Sequence, residues 1–120
     1  MMNAKAKGSK AERELISLFW SKKWVAIRVA GSGSARYPCP DLLASNANRI
    51  LAVECKSSSE LSRHLQKEQV NDLVTFAKGF GAEPWIGVRF NDMKWAFFSP
   101  EDLKRTGTGF SVSVKMVKEK

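Results

Sequence analysis

Cysteine is scarce in this sequence: only Cys39 and Cys55 occur in 120 residues, and they form neither a CxxC unit nor a set of zinc ligands. That excludes a disulfide scaffold and a structural zinc site, and leaves each cysteine as a small apolar filler. Histidine is scarcer still. His64 stands alone in a polar segment, where it is expected to be solvated, and no histidine-based metal site or general base can be built around it. Long apolar runs are missing: none approaches the roughly 20 residues of a membrane span, and MMNAKAKGSK lacks the apolar stretch of a secretory signal. A cytoplasmic protein with no membrane partner is the expectation. Negative charge is also in short supply, with 12 Asp plus Glu against 20 Lys plus Arg, a formal charge of +8 and a pI near 9.8. Such an imbalance suits a polyanionic partner, nucleic acid foremost, and no recognisable RNA-binding motif turns that expectation toward RNA.

What remains is the composition of a folded domain, 43% hydrophobic and 27% charged, without repeats, low-complexity tracts or linkers to divide it. One domain covering residues 1–120 is expected. Ser9-Lys10-Ala11-Glu12 reads as a capping box, opening a helix from about Ser9 to Lys23 with Leu15, Ile16, Phe19 and Trp20 on one side. The β-rich run Trp24 to Val29 follows and empties into the turn-forming stretch Gly31 to Pro38. Asp41 to Ala44 and Ile50 to Lys56 read as strands of a β-hairpin about Ser45-Asn46-Ala47-Asn48-Arg49. Ser57 to Arg63 is a polar connection. A second helix is expected over about Gln66 to Phe80, with Val70, Leu73, Val74, Phe76, Ala77 and Phe80 forming a wide apolar stripe and Gly81 as its stop. Two strands, Trp85 to Phe90 and Lys94 to Phe98, a short helix opened by Ser99-Pro100, and a final strand from Phe110 to Val117 complete the reading. The sum is an α/β fold with helices flanking one mixed sheet.

Side chains alternate along a strand, so Leu51, Val53 and Cys55 face one way while Ala52, Glu54 and Lys56 face the other. Asp41 opens the preceding strand of the hairpin, which brings two carboxylates and an amine toward one end of the sheet. This set suits phosphodiester hydrolysis: carboxylate oxygens hold a hard cation such as Mg²⁺, which polarises a phosphate and acidifies a bound water. Lys56 then orients that water or offsets charge developing on the phosphate. The plain alternative is a surface salt bridge between Glu54 and Lys56. Glu12 adds a separate clue, since helical spacing puts it in the apolar stripe with Leu15, Ile16 and Phe19; its alternative role is the capping box with Ser9.

Pro40-Asp41 followed by Glu54-Cys55-Lys56 resembles the core motif of the PD-(D/E)xK nucleases, a short motif of variable spacing. Much more of the chain resembles one branch, the archaeal Holliday junction resolvases: Gly8-Ser9 with Ala11-Glu12-Arg13, then Ala26-Ile27-Arg28, Ser32-Gly33-Ser34, Pro40-Asp41, Glu54-Cys55-Lys56, and Phe76 to Gly81, all in order. This resemblance implies a restriction-endonuclease-like fold and a homodimer that nicks four-way DNA junctions symmetrically in recombination and repair. It implies Mg²⁺ as cofactor, with Mn²⁺ substituting, held by Asp41, Glu54 and Glu12. Lys56 becomes the catalytic lysine, Arg13 and Arg28 become DNA contacts, and Ser32 lies in a loop close to the cut strand.

For Arg28 and Arg13 an ordinary surface arginine fits the residues equally well. Ser32 reads as a loop or backbone contact, since no base adjoins it to make a nucleophile and metal-activated water needs none. Phe76 and Phe80 suit core packing from the residues alone and a dimer surface from the resemblance. Replication or recombination proteins such as a sliding clamp or a helicase are conceivable further partners. Two competing readings stay open: a related nuclease acting on linear duplex or flap DNA, and a non-enzymatic DNA-binding module whose carboxylates are structural.

Overall fold

The computed structural model describes residues 4–31, 36–91 and 93–118. Helix α1 (Ala4–Ser21) begins ahead of the expected start, so Ser9 lies inside it and not at its N-cap, and Glu12 is free of the capping-box position. The helix also stops short of Lys23, whose φ of 68° turns the chain while the N–H groups of Lys22 and Trp24 close onto the Phe19 carbonyl. Ala11, Leu15 and Phe19, four residues apart, form the buried stripe.

Three strands follow: β1 (Val25–Arg28), β2 (Leu42–Ser45) and β3 (Ile50–Ser58). The β2–β3 hairpin forms as expected, in antiparallel register with Leu42 opposite Val53. Its turn is held by Asn46, whose Oδ1 accepts from the N–H groups of Asn48 and Arg49, the turn chemistry that the Asn-rich segment implied. After β4 (Ser62–Gln66), helix α2 (Lys67–Phe80) carries the chain to β5 (Glu83–Phe90), which pairs parallel with β3, and β6 (Trp95–Phe98) closes that side. Gly81 ends α2 at φ 83°, donating its N–H to the Ala77 carbonyl in the left-handed conformation that glycine adopts without cost.

The main sheet therefore runs β1-β2-β3-β5-β6, with β3 at its centre. Its two faces are covered separately. Leu51 and Val53 join Leu15, Phe19, Ala26 and Leu42 under α1, while Ala52 joins Val70, Leu73, Ala77, Ile86 and Val88 under α2. The alternation read from the sequence is thus realised, and a core leucine such as Leu15 or Leu73 contributes about 2–5 kcal/mol relative to alanine.

Two expectations need correction. The polar segment after Lys56 is not a mere connection: β3 continues to Ser58, and β4 pairs with β8 (Gly109–Ser113) and, through it, β7 (Lys104–Arg105) in a second, three-stranded sheet. Only Leu65 of β4 is buried, so no apolar alternation marks it; pairing with β8 imposes the strand. The tail is likewise not strand throughout. Ser113 pairs with Ser62, the first residue of β4; the pairing ends there, and the chain turns into helix α3 (Val114–Lys118) with the Val114 N–H on the Leu61 carbonyl. Gly109 permits β8 to approach β4 closely, since a Cβ there would sit 2.4 Å from the Leu65 carbonyl oxygen. A 3₁₀ turn, Pro100–Asp102, occupies the position expected for a short helix. No helix of the described residues is long and apolar enough to cross a membrane.

Candidate active site

Asp41 precedes β2 by one residue, immediately after the buried Pro40, and is tied to both neighbours: its carbonyl accepts from Val29 at 2.8 Å and its N–H donates to the Val53 carbonyl at 3.1 Å. Continuing the register beyond the Leu42–Val53 pair sets Asp41 across from Glu54. The Asp41 carboxylate accepts a further hydrogen bond, 2.8 Å from Oδ2 to the Cys55 N–H, which fixes its orientation on the strand that carries Glu54. Lys56, two residues on and on the same face, stands 3.4 Å from Glu54 Oε2, with both side chains largely shielded from solvent. Asp41, Glu54 and Lys56 are thus brought together at the end of the hairpin, as the sequence implied.

The electrostatics are those of a crowded site. Burial, followed by the negative charge of Asp41, pushes the Glu54 carboxyl up to about 7, outweighing the opposing pull of Lys56. Burial, reinforced by Asp41, Glu12 and Glu54, also pushes the Cys55 thiol well above its ordinary value, so Cys55 stays protonated and is no nucleophile. Both cysteines are half-buried and unpaired with each other, in keeping with the filler role.

Glu12, half-buried on α1, lies within electrostatic reach of Glu54 and Cys55. Its carboxylate is engaged by Arg28, at 2.6 Å from Arg28 Nε to Glu12 Oε1. Among the described residues no three His, Cys, Asp or Glu side chains stand close enough to share one ion, so the described cluster is a carboxylate pair with Glu12 beside it. Arg13 is exposed on α1, and His64 is exposed on β4. Ser32 lies outside the described residues. Phe76 and Phe80 stack with ring centroids 5.0 Å apart; Phe76 packs on the core, while Phe80 is 53% exposed.

Two features escaped the sequence. Arg63, in the segment read as a connection, donates from Nη1 to the Ser57 carbonyl at 3.1 Å and braces β3 just beyond Lys56. Arg89, opposite Ser57 on β5, bonds Glu14 of α1 at 2.5 Å and lines an open groove with Ser17, Lys94 and Trp95. Arg89 meets a residue 75 positions away, and Arg63 is placed by a strand that forms through its pairing with distant β8, for which a single sequence carries no signal.

A half-buried carboxylate pair and a lysine at the end of a mixed sheet, with one helix on each face, define the nuclease class that the Pro40-Asp41 and Glu54-Cys55-Lys56 elements resemble. Comparison with known proteins narrows the class. The family model described as archaeal Holliday junction resolvase (Hjc) matches residues 3–119, and the chain belongs to that family. It is 44% identical over 108 residues to a crossover junction endodeoxyribonuclease Hjc of Archaeoglobus fulgidus, covering 90% of this chain and 79% of the relative. A protein of the same name from Methanocaldococcus jannaschii is 32% identical over 110 residues, covering 92% and 78%. The solved structure of an Archaeoglobus fulgidus Hjc, titled a Holliday junction resolvase from an archaeal hyperthermophile, superposes with a TM-score of 0.87 at 38% identity and 93% coverage of both chains.

Proposed function

We propose that this chain, as one nuclease domain over residues 1–120, resolves four-way DNA junctions in recombination and repair. It does so by cation-dependent hydrolysis of phosphodiester bonds, as a homodimer that makes paired, symmetric nicks. Family membership supports the substrate, and one geometric observation carries the chemistry: two half-buried carboxylates crowd each other across a hairpin, with an amine beside them. In that arrangement burial and the charge of Asp41 push the Glu54 carboxyl up to about 7, with Lys56 compensating only in part. A divalent cation would relieve the repulsion, and the donors, all carboxylate oxygens, suit a hard ion such as Mg²⁺ or Mn²⁺. Asp41 and Glu54 would hold it, with Glu12 as the third acid within reach. Bound there, the cation supplies Lewis-acid polarisation of the phosphate and a water acidic enough to attack at neutral pH.

The residues of the chain do the rest. Asp41 is kept rigid by the Cys55 N–H, so the site is oriented before substrate arrives. Lys56 is positioned to place the attacking water and to offset charge on the pentacovalent phosphate. Arg28 and Arg13 offer their guanidinium groups to backbone phosphates, and Ser32 is a further candidate contact close to the cut strand. The charge of +8 supplies the sequence-independent part of binding. Phe76 and Phe80, stacked on α2 with Phe80 exposed, form the apolar strip through which a second copy docks, so that dimer geometry selects the four-way shape. A cytoplasmic location, and contact with replication or recombination proteins, belong to the same reading.

The test is cleavage of a synthetic four-way junction with Mg²⁺, beside its component duplexes and a flap. The expected result is paired nicks across the junction and little cutting of the linear substrates. Equal cutting of all three would instead make the chain a general duplex or flap nuclease, and no cutting with intact binding would make it a non-enzymatic DNA-binding module.

A further inference from the structure

The ion pair between Glu12 and Arg28 serves a purpose beyond holding α1 to β1. Arg28 is the last residue of β1, opposite Leu42 and one residue from Val29, whose N–H bonds the Asp41 carbonyl at 2.8 Å. Its side chain is 46% exposed, whereas that of Glu12 is only 16% exposed, so solvent and an incoming group meet the guanidinium before the carboxylate. Glu12 nonetheless lies within electrostatic reach of the carboxylate pair, for its charge is felt at both Glu54 and Cys55. Among the described residues it does not close with the pair into a three-acid cluster, and its Oε1 is held by Arg28 Nε at 2.6 Å.

A guanidinium fork binds phosphate by the same geometry with which it binds carboxylate, so a DNA phosphate and Glu12 compete for the same donors. We propose that Glu12 and Arg28 form a latch that DNA opens: in the free protein Arg28 draws the Glu12 carboxylate aside, and a phosphate that engages Arg28 releases Glu12 to complete the cation site. The inference rests on the proposed reading of Asp41 and Glu54 as that site. Its consequence is a reciprocal coupling, in which DNA tightens cation binding and cation tightens DNA binding. The third carboxylate then joins the site only when there is a strand to cut. Arg28 acts here as a positioning residue for Glu12, in addition to touching substrate.

The test is a double-mutant cycle on junction affinity with no metal present, a readout independent of cleavage. Glu12→Gln should bind a synthetic four-way junction more tightly than the wild type in EDTA, by about fivefold, the upper range for an ion pair with one half-exposed partner. In an Arg28→Gln background the same change should bring little or no gain. Thermal melts of all three variants establish that they are folded. An equal gain in both backgrounds would mean that removing a negative charge explains the effect, and no gain in either would mean that Arg28 is not competed for; either result overturns the latch.

The second half is read with Ca²⁺, a hard cation that seeks oxygen ligands. Ca²⁺ should tighten junction binding more for the wild type than for Glu12→Gln, and equal tightening would overturn the release of Glu12 to the site. Asp41→Asn separates the two levels. If it abolishes the Ca²⁺ response while Glu12→Gln leaves it intact, the proposed function stands and the latch falls. If Asp41→Asn responds as fully as the wild type, there is no cation site at the pair, and both fall.

Discussion

Replacing Glu54 by glutamine should make the cation-free protein more stable, and only at higher pH. Glu54 is raised from an ordinary 4.5 to about 7 by burial and by Asp41, so ionising it in the native state is unfavourable. Between these two values the native carboxyl keeps its proton while the unfolded one has lost it. The native state then binds more protons, and stability declines as pH rises from about 4.5 through about 7, the full loss being reached above that. At about 1.4 kcal/mol per pH unit the penalty is about 3 kcal/mol at pH 8, and relaxation of the site brings the expected gain to about 1–3 kcal/mol. Glutamine keeps the shape of the neutral acid and escapes the penalty. For a domain of this size the gain corresponds to a rise in Tm of several degrees, up to about 10 °C. Thermal melts followed by circular dichroism in EDTA at pH 5, 6, 7 and 8 would measure it. The two proteins should melt close together at pH 5 and diverge by pH 8. Mg²⁺ should then raise the Tm of the wild type and leave that of Glu54→Gln nearly unchanged. A difference that does not vary with pH, or a variant less stable than the wild type at pH 8, would refute the reasoning that the carboxylates are crowded and uncompensated.

Other expectations follow from the same geometry. Lys56→Met should lower junction cleavage by on the order of a hundredfold or more while leaving junction affinity in EDTA within a few-fold of the wild type, as read by single-turnover cleavage and gel shift. Phe80→Glu places a charge in the exposed apolar strip of α2 and should shift the mass measured by analytical ultracentrifugation from a dimer to the 13.4 kDa monomer, without altering the far-ultraviolet spectrum. Gly109→Ala drives a Cβ against the Leu65 carbonyl oxygen and should cost about 2 kcal/mol in urea unfolding, with the three-stranded sheet most affected in hydrogen exchange.

Legibility from sequence followed the range of the interactions. The hairpin was readable because the alternation of Leu51, Ala52, Val53 and Glu54 and the turn chemistry of Asn46 are local, and they were enough to bring Asp41 toward Glu54 and Lys56. Helices α1 and α2 were readable from their apolar stripes. The start of α1 was not: Ser9 and Glu12 mimic a capping box, but the helix extends past them. The second sheet was invisible because β4 buries only Leu65 and owes its strand form to β8, more than forty residues later in the chain. The change from strand to helix after Ser113 depends on where β4 begins, which nothing within the tail encodes. At the site, Glu12 was marked as unusual by its position in an apolar stripe, but its engagement with Arg28 joins α1 to β1 and emerges only once both are packed.

The central claim is that Asp41 and Glu54 form a cation site whose purpose is cleavage of four-way DNA. The most direct measurement compares wild type with Asp41→Asn on one labelled four-way junction, recording cleavage in Mg²⁺ and binding in EDTA on the same samples. Asp41→Asn is expected to bind the junction at close to wild-type affinity and to leave it uncut, since only the cation site has been changed. Cleavage by Asp41→Asn at the wild-type rate would contradict the claim.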